Sequence, residues 1–67
     1  MKTSEIVVGG VYSNGNGRRR TVTSITKLRE GYVVPGFESE TRYLDKDNQT
    51  FCCYTKNFAR WAKERIA

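Results

Sequence analysis

Val22 and Ile25 lie within the longest extended stretch in the chain, residues 18–28, and their odd spacing puts them on opposite faces of a regular strand. Both can face one core only if an extra residue is inserted between them, which predicts a β-bulge near Thr23 and Ser24. The stretch is otherwise rich in Thr, Val and Ile, residues that suit a pleated, half-buried surface. A bulged central strand is bent, and bending lets a handful of short strands wrap into a small barrel instead of a flat ribbon.

The punctuation around this strand is equally informative. Ser13-Asn14-Gly15-Asn16-Gly17 is the strongest turn signal present, because Asn and Gly accept the positive φ values of tight hairpins. It makes 11–13 a first strand, with either Val11 or Tyr12 turned inward. The glycines do not spell a phosphate loop: the Gly-x-x-x-x-Gly-Lys-Ser/Thr pattern is missing, and the run opens into a strand rather than a helix. Downstream, Arg29-Glu30-Gly31 and Pro35-Gly36 bracket a third strand at 32–34, and Phe37 is expected to plug one end of the core. Residues 41–45 and 49–54 read as two more strands around the polar turn Asp45-Lys46-Asp47-Asn48. Phe51 and Cys53 share one face of the last strand, Cys52 and Tyr54 the other.

Residues 55–67 carry the only helical pattern. On a wheel of about 100° per residue, Phe58, Ala59, Trp61, Ala62 and Ile66 form one apolar arc, while Arg60, Lys63 and Glu64 point away. Arg65 lies inside that arc, its stem beside Trp61. Thr55 is a natural N-cap, and Lys63 and Arg65 suit the negative end of the helix dipole. The expected fold is mainly β, a small five-stranded SH3-like barrel or curled antiparallel sheet with one C-terminal helix; an open four-stranded sheet with the helix across one face is the alternative. The expected core is Val11, Val22, Ile25, Val34, Leu44, Phe51, Cys53, Phe58, Trp61 and Ile66.

With 67 residues the chain makes a single domain, 1–67, in which the polar stretch 1–5 is expected to be disordered. The apolar run Ile6-Val7-Val8 is too short for a signal peptide or a membrane span, so a soluble, cytoplasmic protein is expected, a monomer or small homo-oligomer with no membrane partner. Adjacent Cys52 and Cys53 cannot bridge each other in a strand, and without His there is no zinc ligand set. Asp45, Asp47 and Asn48 imitate the start of a calcium loop but lack its glycine and closing Glu. No cofactor and no metal are expected. The lack of His also removes the commonest general base, so the protein is not expected to be an enzyme.

Twelve Lys and Arg against seven Asp and Glu give a net charge of +5, which biases the chain toward polyanions. Arg18-Arg19-Arg20 is the one cluster above this background: guanidiniums leaving a glycine turn onto a strand can meet successive phosphates. Strand alternation sends Arg18 and Arg20 to one face and Arg19 to the other. With Lys27, Arg29 or Arg42 on a neighbouring strand and Tyr12, Tyr32 or Tyr54 between them, this would be a charged surface with stacking rings, as in small barrels that hold single strands. The competing reading is a solvated edge strand that uses arginines to block edge pairing.

Several short motifs add a resemblance. Gly-x-Val-Tyr ending at Tyr12, the Gly and Asn loop, the Arg run into Thr-Val-Thr-Ser-Ile, Tyr43-Leu44-Asp45 and the closing Phe58-Ala59-Arg60-Trp61-Ala62 together resemble small uncharacterised proteins encoded by bacteriophages and prophages. The resemblance implies a phage or prophage setting, in the cytoplasm of a bacterial host cell, and assigns no functional residues. The leading expectation is a non-enzymatic binding module for nucleic acid through the basic hairpin. The rival is a phage-encoded effector or adaptor that binds and modulates a host protein.

Overall fold

The computed structural model describes residues 1–27 and 38–67. A short 3-10 turn, Thr3–Glu5, is followed by β1 (Val11–Ser13), β2 (Arg19–Lys27), β3 (Ser39–Leu44) and β4 (Thr50–Tyr54), then α1 (Thr55–Trp61) and a two-residue strand, β5 (Glu64–Arg65). The five strands form one antiparallel sheet in the order β4-β3-β2-β1-β5. Among the described residues β4 and β5 are its edges and the sheet is not closed, so the molecule adopts the antiparallel-sheet alternative and not a sealed barrel. No helix among the described residues is long and apolar enough to cross a membrane. The expected strand at 32–34, with Val34 and Phe37, lies outside the described residues.

The bulge falls where the spacing of Val22 and Ile25 requires it. Val22 pairs with Tyr43 and Ser24 with Arg42, and the register shifts between them at Thr23. Val22 is buried and Ile25 packs on the same core. Both expected hairpins also form. Gly15 and Gly17 take φ of 89° and 76° in the β1–β2 turn, and Asn48 takes φ 59° in the β3–β4 turn, a conformation that Asn accepts more readily than most residues.

One face of the sheet carries Tyr12, Val22, Tyr43 and Thr41, and α1 covers it by packing on β3 and β4. Phe58, Ala59 and Ala62 are buried there, as the apolar arc predicts, with Trp61 partly buried beside them. The remaining core expectations divide. Cys53 packs against the core, Val11 and Leu44 are half-buried, and Phe51 and Ile66 are exposed. Ile6, Tyr12 and Tyr43 take their places. Tyr12 turns inward because its hydroxyl has partners: it donates to the Glu5 carbonyl at 2.7 Å and accepts from the Val7 amide at 2.9 Å. That anchoring leaves no room at Gly10, where a Cβ would stand 2.6 Å from the same hydroxyl.

Both chain ends depart from expectation. The stretch 1–5 is attached: it forms the 3-10 turn against α1, and the Met1 amino group donates to the carbonyls of Ala59 and Ala62 at the C-terminal end of that helix. The helix stops at Trp61 instead of running through 67. Beyond Ala62 a further turn would bury little, since Ile66 is the only large apolar side chain left, whereas extended backbone can satisfy the free side of β1. Lys63 donates to Ser13, Ile66 to Val11, and Val11 to Ala67, at 2.8, 2.8 and 3.0 Å. Thr55 is not the N-cap either. Tyr54 holds that position, and the Thr55 hydroxyl turns inward to Ser39 at 2.6 Å and to fully buried Thr41 at 2.8 Å.

Candidate nucleic-acid interface

Antiparallel pairing of Thr21 with Leu44 puts the start of β2 and the β3–β4 turn at the same end of the sheet. Arg18, Arg19 and Arg20 therefore meet Asp45 and Lys46, and between them lies an open groove of about 270 Å³ with Tyr43 and Phe51 in its wall. Four cationic side chains thus surround one carboxylate. That carboxylate is engaged: Asp45 Oδ1 accepts from the amides of Asp47 and Gln49, at 2.8 and 2.9 Å, and so closes the hairpin turn.

The three arginines are not equivalent. Arg18 and Arg19 are exposed, while Arg20 is half-buried with its guanidinium 4.0 Å from the Trp61 ring and 4.6 Å from the Tyr43 ring. A planar cation held against two aromatic faces is partly a packing element, and its orientation is fixed before any ligand arrives. Tyr43 in turn stacks on Phe51, centroids 6.0 Å apart and planes 26° apart, and tilts against Phe58 at 5.3 Å. Phe51 remains 44% exposed.

Other expected site residues stand elsewhere. Tyr12 is fully buried, so its ring is not available to stack on a base. Lys27 lies at the opposite end of β2, seven residues from Arg20 and roughly 20 Å away at a strand's rise. Arg42 alternates with buried Thr41 and Tyr43, so it projects from the other face, where it lies 3.8 Å from Glu40. Arg29 and Tyr32 lie outside the described residues. Conversely, Phe51, expected in the core, and Lys46, expected in a polar turn, line the groove; the direct pairing of β2 with β3, which no turn signal specifies, brings both to the arginine end.

Both cysteines are free thiols, Cys52 exposed and Cys53 partly buried. No cluster of potential metal ligands occurs among the described residues. Burial pushes the Cys53 thiol up from its ordinary 9.0, against the opposing pull of Arg20, and burial likewise raises the Tyr43 phenol from 10.0, again opposed by Arg20. In both cases the folded chain holds its proton more tightly than the unfolded chain does, so unfolding releases protons at alkaline pH. Their contribution is therefore complete below about pH 9 and is lost as pH rises through the folded values. Urea midpoints measured between pH 8 and 11 are expected to fall above pH 9, and a flat profile would contradict the burial of both groups.

No protein-family model, curated protein or solved structure matches the chain.

Proposed function

We propose that the protein is a non-enzymatic nucleic-acid-binding module that acts through the groove at the arginine end of the sheet. The observation that carries this reading is the convergence of Arg18, Arg19, Arg20 and Lys46 on one open groove whose only carboxylate among the described residues is already bonded to backbone amides. Such a surface favours a polyanion, and the net charge of +5 adds a long-range attraction of the same sign. Cations leaving a strand and a turn reach phosphates, not base edges, so the binding is sequence-tolerant.

The test is the salt dependence of a labelled oligonucleotide. Affinity is expected to fall steeply with salt, and a variant with Arg18, Arg19 and Lys46 all replaced by alanine is expected to flatten the log–log slope by about 2 units, at roughly 0.7 to 0.9 per phosphate contact. Arg20 is left in place because it packs on Tyr43 and Trp61, so its removal would mix folding with binding. Every sequence should weaken about equally. A parent that binds nothing at low salt, or a variant that binds as well as the parent, would overturn the proposal, and recognition of a host protein would then be the reading to pursue.

A further inference from the structure

We infer that the groove takes single-stranded nucleic acid in preference to duplex, with an unpaired base laid on the ring of Phe51; this rests on the nucleic-acid reading of the same groove. Phe51 is the exposed ring of a groove whose other described lining residues are charged side chains and buried Tyr43, and it stands on an edge strand of the described sheet. Its exposure is not slack. Stacking on Tyr43, which is itself buried against Phe58, backs one side of the ring and fixes its tilt, so little rotamer freedom is lost when something lies on the open side.

The chemistry of the neighbours selects what that something is. By strand alternation Arg20 projects on the same face as Phe51, Arg18 lines the groove just before β2 and Lys46 approaches from the turn, so an apolar π-face is set among cations. A nucleotide offers the matching pair of features, a flat base beside a phosphate, and every base has a face on which an aromatic ring can stack. In a duplex those faces are covered by neighbouring base pairs, and the ring would meet only sugar and phosphate.

The experiment compares a labelled oligothymidylate with a duplex of equal length at low salt, by fluorescence anisotropy. The single strand is expected to bind at least about tenfold more tightly. Phe51→Leu keeps an apolar side chain and removes the π-face; it is expected to lose roughly 5- to 150-fold for the single strand with the salt slope unchanged, while Phe51→Tyr stays near the parent. Duplex binding as tight as the single strand, or Phe51→Leu binding like the parent, would overturn this inference and leave the charge-based reading standing. Failure of the parent to bind either oligonucleotide would instead overturn the reading beneath it.

Discussion

Phe58→Ala is expected to leave the domain unfolded or nearly so. Phe58 is fully buried, and three rings converge on it: Tyr12 edge-on at 5.5 Å, Tyr43 at 5.3 Å and Trp61 at 5.6 Å. Truncating such a residue removes its transfer free energy and opens a cavity that the sheet on one side and the helix backbone on the other cannot close, at a cost of about 3 to 5 kcal/mol. A core in a chain this short supplies only about that much in total. Trp61 is larger but half-buried, with Arg20 across its face, so Trp61→Ala is expected to cost less. Urea denaturation followed by far-ultraviolet circular dichroism measures both. A Phe58→Ala protein with a cooperative transition within about 1 kcal/mol of the parent would show that the helix is not what holds the sheet.

The elements that sequence reveals here are those set by local rules. The bulge follows from the parity of two side chains, and the two hairpins follow from Asn and Gly where positive φ is required. The helix end does not. Ile66 completes an apolar arc on a wheel, yet the backbone at 63–67 instead takes the free side of β1, and that demand exists only once β1 and β2 have paired. The choice between Val11 and Tyr12 is likewise non-local. It is decided by backbone partners at Glu5 and Val7, in a stretch that polarity alone marks as frayed.

The site divides the same way. A run of three arginines after a turn is visible in the chain, but which of them stays exposed and which packs depends on a ring from β3 and another from α1. Tyrosine content points to stacking partners, whereas burial withdraws Tyr12 and leaves Phe51 as the exposed ring among the described residues of the groove wall. Alternation in Phe51-Cys52-Cys53-Tyr54 does assign Phe51 to the face shared with Cys53. It carries no signal that Cys53 packs against the core while Phe51 stays exposed.

Arg20→Ala is expected to weaken folding and binding together, which separates Arg20 from its two neighbours. Each aromatic contact of its guanidinium contributes about 0.5 to 2 kcal/mol depending on how far it is desolvated, so the stability loss from the two together should be about 1 to 3 kcal/mol. Because Arg20 draws the Tyr43 phenol and the Cys53 thiol downward against burial, its removal should also move both titrations to higher pH, and the tyrosinate absorbance reports the first directly. Arg20→Lys retains the charge but not the planar group, so it should keep most of the salt slope and recover little of the stability. Arg18→Ala and Arg19→Ala, at exposed positions, should melt like the parent. If Arg20→Ala also melts like the parent, with its phenol titration unmoved, the guanidinium is not clamped by Tyr43 and Trp61, and the three arginines act as one solvated cluster.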